Sequence, residues 1–167
     1  MTKEHRKRFL ETYGQAMLSW QTVELSLLQL FLAVIRAPNL QIASAVYHAV
    51  PSANTRLDMI AEGLKVSLPE TAIQQEWTRL RKKIAKHAVK RNYLAHYTVI
   101  ERFRQDSSFV TMYLSRSMLD SRDKARQEID LRQLEEYERS FRQLGTGIEA
   151  FFAKVSAAGD ASHSTSC

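Results

Sequence analysis

The side chains best suited to chemistry lie close together between positions 90 and 97 of the chain. Arg91 is a permanently charged, forked ligand for phosphate oxygens, and Asn92 offers both a hydrogen-bond donor and an acceptor. His96 can transfer a proton near neutral pH. On a helix, Asn92 and His96 lie one turn apart on the same face, with Arg91 at the edge of that face. Together these three side chains would suit a phosphodiester substrate.

Basic residues are concentrated around this segment. The chain has 24 Lys and Arg against 18 Asp and Glu, which gives a net charge of +6 and a pI of about 9.6. Positions 77–100 contain no acidic residue, and their basic residues are Arg79, Arg81, Lys82, Lys83, Lys86, Lys90 and Arg91. This balance favours an anionic partner, above all nucleic acid. The other explanation is a solvated helix face.

The sequence excludes several other kinds of site. It has no Gly-rich phosphate loop, no His-Glu-x-x-His motif, no Gly-x-Ser-x-Gly motif and no EF-hand loop. Its single cysteine, Cys167, excludes an internal disulfide and a Cys-rich zinc site. We therefore expect neither a metal nor a cofactor. The most apolar run, positions 23–35, is too short to span a bilayer, and no export signal is visible, so we expect a cytoplasmic protein without membrane attachment.

The spacing of apolar residues predicts helices in the first part of the chain. Positions 13–34 carry an apolar face whose exception is Glu24. A shorter helix is predicted over about 40–49, and a third begins after Ser52, which is a suitable N-cap. The low content of glycine and proline agrees with a helical fold.

The longest predicted helix covers about 70–98 and contains the candidate site. Its expected buried seam includes Ile84, Arg91 and Ala95. Two β-rich runs, 99–103 and 109–113, then surround a short polar loop, which predicts a hairpin. The charged segment 116–128 is irregular.

A final helix is predicted to begin at Asp130, which forms a capping box with Gln133. The predicted fold is therefore mainly α, a single helical bundle with a small β-hairpin between the last two long helices. One domain is expected over residues 1–156. Residues 157–167 are small and polar, and we expect them to form a disordered tail.

The segment Arg91-Asn92-x-x-x-His96 resembles the shared motif of the HEPN superfamily, in which Arg is usually followed by a polar residue and then, after four to six intervening residues, by His. Members of that superfamily are small helical bundles that place the motif on a helix after the main apolar helices. The order of the helices resembles that of the superfamily over about residues 10–155. The motif itself comprises about six residues. Arg81 and His87 satisfy the same spacing, and Lys82 would be their polar neighbour.

The resemblance implies a metal-independent endoribonuclease with a composite site at a homodimer interface. His96 would act as general base on the ribose 2′-hydroxyl or as acid on the leaving oxygen, Arg91 would stabilise the phosphorane, and Asn92 would position the phosphate. The product would carry a 2′,3′-cyclic phosphate. A role as toxin or defence nuclease, with a protein partner or antitoxin, follows from the same analogy. The RNA backbone would be held by the basic N-terminal segment together with Lys83, Lys86 and Lys90.

Two further residues are expected to support the site, and one alternative remains open. Tyr97 follows the motif, and Glu24 would need a cationic partner such as Arg91 or Arg56 if it were buried. In the alternative, the protein is a non-catalytic HEPN-like module that binds RNA, a nucleotide or a partner protein. Arg91 would then be a structural ion-pair partner of Glu24.

Overall fold

The computed structural model describes residues 3–103, 105, 109–116 and 128–164 of the chain. Within these residues, five α-helices and two strands follow one another. In chain order they are α1 (Lys3–Val34), α2 (Leu40–Ala49), α3 (Ala53–Ser67), α4 (Thr71–His96), β1 (Thr98–Phe103), β2 (Phe109–Ser115) and α5 (Leu131–Ser164). This confirms the predicted mainly-α fold with a β-hairpin between the last two long helices.

The chain divides into two compact units. The first contains Met1–Gln21 and His87–Arg142, and the second contains Thr22–Lys86 and Gln143–Cys167. The boundaries fall inside α1, α4 and α5, so each unit includes part of each long helix. The expectation of one domain over residues 1–156 stays a prediction.

Aromatic side chains from separate helices pack together in the first unit. The rings of Trp20 on α1 and Phe141 on α5 meet edge to face, with their centroids 5.2 Å apart. The hydroxyl of Tyr13 donates a hydrogen bond of 3.1 Å to the carbonyl oxygen of Leu94 near the end of α4. That bond satisfies one of the carbonyls that lack a partner at a helix C-terminus. Other buried side chains of this unit are Phe9, Met112, Leu114, Ile129 and Leu134.

The hairpin follows α4 directly and its strands are antiparallel. The register is irregular between Arg102 and Phe103, where the strands approach the loop. Leu114 of β2 and Ile129, which lies just before α5, exchange two backbone hydrogen bonds of 2.9 and 2.8 Å. Since both side chains are fully buried, the chain leading into α5 is fixed against the hairpin by backbone pairing and apolar contact.

The two predicted N-caps are confirmed. The Oγ of Ser52 accepts a hydrogen bond from the backbone N–H of Thr55 at 3.3 Å. At the start of α5, the Oδ1 of Asp130 accepts from the N–H of Gln133 at 2.8 Å, and the Oε1 of Gln133 accepts from the N–H of Asp130 at 3.1 Å. These bonds satisfy N–H groups that have no partner inside the helix.

The second unit has its own apolar core. Trp77 on α4 stacks on Phe151 on α5, with ring centroids 5.8 Å apart and planes inclined by 26°. Gly63 on α3 lies against Val34, the last residue of α1, so closely that a Cβ atom there would meet its Cγ1 at 2.5 Å. Other buried side chains are Leu30, Phe31, Tyr47, Leu57, Ile60, Leu64, Ile84 and Ile148.

The structure corrects two local predictions. In the last turns of α4, Leu94 is fully buried and Ala95 is exposed, because the bulkier side chain turns into the core. Helix α5 continues to Ser164, so residues 157–164 of the predicted disordered tail 157–167 are helical. The alanines at the start of that segment favour continuation of a helix. Residues 165–167, and residues 117–127 of the charged segment 116–128, lie outside the described residues.

Helix α1 is long and apolar enough to cross a membrane by length and composition. The run 23–35 alone is too short for this, but the helix that contains it has 32 residues. Of the apolar 18-residue window, 39% is buried in the structure. The core helix of a soluble protein satisfies the same criterion, so this observation is weak support for a membrane span.

Candidate functional site

The three motif residues lie in the last two turns of α4, within the first unit. His96 is the final residue of the helix and is exposed, and Asn92, one turn before it, is also exposed. Arg91 differs from them because it is half-buried and its Nε atom is inaccessible to solvent. On an α-helix, Arg91 and His96 point about 140° apart. The structure therefore brings Asn92 and His96 together on one face and turns the stem of Arg91 away from it.

Asn92 connects the guanidinium of Arg91 to the exposed face. The Nη1 of Arg91 donates to the Oδ1 of Asn92 across 3.4 Å, a long hydrogen bond. The end of the arginine thus stays beside the carboxamide although its stem is partly buried. The chain presents a carboxamide and an imidazole to solvent here, with a guanidinium adjacent to the carboxamide.

A cluster of three tyrosines and one lysine lies on the other side of His96 along the helix surface. The rings of Tyr93 and Tyr97, both half-buried, have centroids 5.1 Å apart and planes inclined by 34°. The Nζ of Lys90 lies 4.9 Å from the centroid of the Tyr137 ring on α5, within cation–π range. Burial raises the pKa of Tyr137, and the nearby Tyr93 and Tyr97 hydroxyls raise it further. We call these four residues the tyrosine cluster.

Sequence reasoning identified part of this cluster. Tyr97 was expected to support the site, and it packs against Tyr93 one turn before it. Tyr137 was missed, because it lies on another helix far along the chain and no local spacing links it to the motif. Its one sequence signal is its place among the buried positions of α5, near Leu134 and Phe141.

The lysines expected to bind RNA are distributed over both units. Lys83 and Lys86 are exposed on the part of α4 that belongs to the second unit. Lys90 belongs to the first unit and is half-buried, with its ammonium group on the Tyr137 ring. Lys90 is therefore the predicted phosphate-binding lysine that the structure places in the same unit as His96.

The basic N-terminal segment is largely neutralised by acidic side chains. Arg8 forms an ion pair of 2.6 Å with Glu135, and the guanidinium of Arg6 lies 3.0 Å from the carboxylate of Glu101. A third, looser pair joins Lys7 and Glu11 at 3.8 Å. Because these pairs are solvent-exposed and therefore weak, the role of the segment in holding an RNA backbone stays a prediction.

Glu24 belongs to a different cluster, in the second unit. It is half-buried and acts electrostatically on Tyr47, over whose ring the guanidinium of Arg56 lies at 5.2 Å. Burial raises the pKa of Tyr47 to about 12, with Arg56 lowering it and Glu24 raising it. The Nε of Arg56 donates to the carbonyl oxygen of Val50 at 2.8 Å. Of the two cationic partners proposed for Glu24, Arg56 shares this cluster, whereas Arg91 belongs to the first unit.

The second unit also has a cavity of about 620 Å³ between α3 and α4. Its walls carry charges of both signs, and the ion pair between Arg81 and Asp58, 2.5 Å long, joins the two helices. The described residues that line it include no histidine. The lining residues are Asn54, Asp58, Ala61, Glu62, Lys65, Gln74, Trp77, Thr78, Arg81, Lys82 and Ala85.

In the described part of the chain, no three His, Cys, Asp or Glu side chains converge to hold a metal ion. Comparison with known proteins gives no relative: no family model, no curated protein and no solved structure matches the chain.

Proposed function

We propose that the protein is a metal-independent endoribonuclease of the HEPN type, with its chemistry at the end of α4. The proposal rests on one observation above all: the exposed imidazole of His96 lies one turn from the exposed carboxamide of Asn92, with the Arg91 guanidinium bonded to that carboxamide. These groups supply proton transfer, substrate orientation and charge stabilisation. The net charge of +6 favours a polyanionic substrate.

The reaction would be an intramolecular transesterification. One His96 imidazole takes the proton from a ribose 2′-hydroxyl, whose oxygen attacks the adjacent phosphorus. The bond from phosphorus to the 5′-oxygen breaks, and that oxygen receives a proton. The products are a 2′,3′-cyclic phosphate and a 5′-hydroxyl end. Arg91 stabilises the charge on the phosphorane, and Asn92 orients the phosphate.

The two proton transfers are the reason to propose a homodimer. One group must accept a proton while another donates one, and each protomer places one histidine at the end of α4. A second copy of the chain would supply the second imidazole, so that both motifs line one cleft. We further propose that the protein acts in the cytoplasm, without a cofactor, and that a protein partner or antitoxin regulates it. The role as toxin or defence nuclease is part of the same proposal.

The choice of substrate tests this mechanism. We expect the purified protein, in EDTA, to cleave a single-stranded RNA and to leave its 2′-O-methyl counterpart intact, because the methyl group removes the nucleophile. His96→Ala should lower the cleavage rate by roughly 100-fold or more. His48→Ala, at an exposed histidine on α2, is the matched control and should cleave like the wild type. Cleavage of the methylated strand, or products without the cyclic phosphate, would contradict the mechanism.

The half-buried state of Arg91 favours a second candidate, the non-catalytic module. In this case the arginine contributes mainly packing, and the exposed residues Asn92 and His96 contact RNA, a nucleotide or a partner protein. The two candidates differ in what Arg91→Lys does. A nuclease that uses the forked guanidinium loses cleavage, whereas a binding module retains its ligand with a small change in affinity.

A further inference from the structure

We propose that the Tyr93–Tyr97 pair is a base-stacking platform that restricts the site to single-stranded RNA. The proposal rests on the proposed nuclease function and adds the substrate class. It is carried by the placement of two partly exposed aromatic rings, whose centroids lie 5.1 Å apart and whose planes are inclined by 34°, next to the exposed His96. Aromatic side chains bind successive bases of single strands because every base has a π face.

The position of the pair at the C-terminal end of α4, with Tyr93 in the helix and Tyr97 directly after it, suits a nucleotide held for cleavage. Tyr93 lies three residues before His96 and is therefore its neighbour on the helix surface, and Tyr97 directly follows it. A base stacked on either ring would keep its ribose and phosphate within reach of the imidazole. Asn92 borders the same exposed surface and can bond that phosphate.

The environment of the pair agrees with binding rather than with simple core packing. Trp20 and Trp77, the two tryptophans, are buried and already packed against phenylalanines. The Tyr93 and Tyr97 rings instead retain solvent exposure. The ammonium group of Lys90 lies over the Tyr137 ring, so the same cluster carries a positive charge. A phosphate of the RNA backbone could bind to that charge.

The chemistry gives an independent reason for a single strand. The attacking 2′-oxygen must line up with the phosphorus and the leaving 5′-oxygen, and a paired A-form helix holds it away from that line. A duplex also keeps its bases stacked on each other and unavailable to a protein ring. A platform that takes bases out of the stack therefore favours the strand geometry that the reaction needs.

The test measures binding in a protein that does not cleave. His96→Ala is titrated with a fluorescently labelled 12-nucleotide RNA, either single-stranded or annealed to its complement, at one salt concentration. We expect tighter binding of the single strand. Adding Tyr93→Leu or Tyr97→Leu should weaken it at least about fivefold, whereas Tyr93→Phe, which keeps the ring, should bind like the parent. Phe103→Leu, an exposed aromatic of the hairpin, is the matched control and should have no effect.

Three results would overturn the platform: equal affinity for duplex and single strand, unchanged affinity in both leucine variants, or no binding of either RNA. Retained binding by Tyr93→Phe shows that the ring and not the hydroxyl carries the affinity, and circular dichroism of the leucine variants separates loss of the ring from misfolding. The readout is separate from that of the nuclease. If His96→Ala abolishes cleavage but neither leucine variant changes the affinity for RNA, the platform is wrong and the proposed nuclease is still supported.

Discussion

The exposed imidazole of His96 and the half-buried guanidinium of Arg91 place the proposed chemistry in two different environments. The imidazole can exchange protons with substrate and solvent directly. The arginine is held by packing along its stem, and its tip reaches the carboxamide of Asn92. Truncation of Arg91 therefore removes apolar contact as well as charge. For this reason, a loss of function in Arg91→Ala has to be accompanied by a measurement of folding.

Tyr47 provides a residue-scale prediction that is independent of the nuclease. Burial raises the pKa of Tyr47 to about 12, above its ordinary value of 10.0. Because the pKa is higher in the folded protein, the stabilising contribution is fully present below pH 10 and is lost as the pH rises through about 12. We expect the free energy of unfolding to fall over this window by an amount on the order of 2 kcal/mol from this group.

Urea unfolding at neutral pH and across that alkaline window measures the effect. Tyr47→Phe cannot ionise, so its stability should fall less steeply than that of the wild type as the pH rises. A residual slope is expected from Tyr137, whose pKa is also raised by burial. Identical slopes for the wild type and Tyr47→Phe would show that Tyr47 does not carry the predicted contribution.

Most elements of this fold could be predicted from local sequence. The predicted bounds of α2 agree with the structure, and Ser52 and Asp130 cap their helices as expected, because capping depends on residues within one turn. Contacts between distant segments could not be predicted in this way. The Lys90–Tyr137 contact depends on how two helices pack, and hydrophobic periodicity does not specify which residues meet across them.

Gly63 tests the packing of α3 in the second unit. A Cβ at this position would lie 2.5 Å from the Cγ1 of Val34, so Gly63→Ala must displace a packed side chain. We expect the variant to lose roughly 1–3 kcal/mol of stability, although alanine is the better helix former. The loss can be measured by urea unfolding at neutral pH.

Gly147 on α5 is the matched control for that substitution. Nothing lies within 4 Å of a Cβ built at Gly147, and the position is helical and exposed. Gly147→Ala should therefore stabilise the protein by roughly 0.5–1 kcal/mol. If Gly63→Ala were as stable as Gly147→Ala, the close approach of α3 to Val34 would be wrong.

At the scale of the whole molecule, the excess of basic residues is informative mainly through its distribution. The net charge of +6 does not show which cations are available, since several at the N-terminus are paired with acids. The sequence predicted the Asn92–His96 face correctly, because residues four apart share a helix surface. It did not reveal the partial burial of Arg91 or the tyrosine cluster, which depend on tertiary packing.

The most direct test of the proposed nuclease is RNA cleavage in EDTA by the wild type, Arg91→Ala and His96→Ala. Circular dichroism of each protein establishes that all three are folded. We predict that the wild type cleaves and that both variants lose cleavage by roughly 100-fold or more. Equal cleavage by all three proteins, or intact RNA with the wild type, would contradict the proposed nuclease and favour the non-catalytic module.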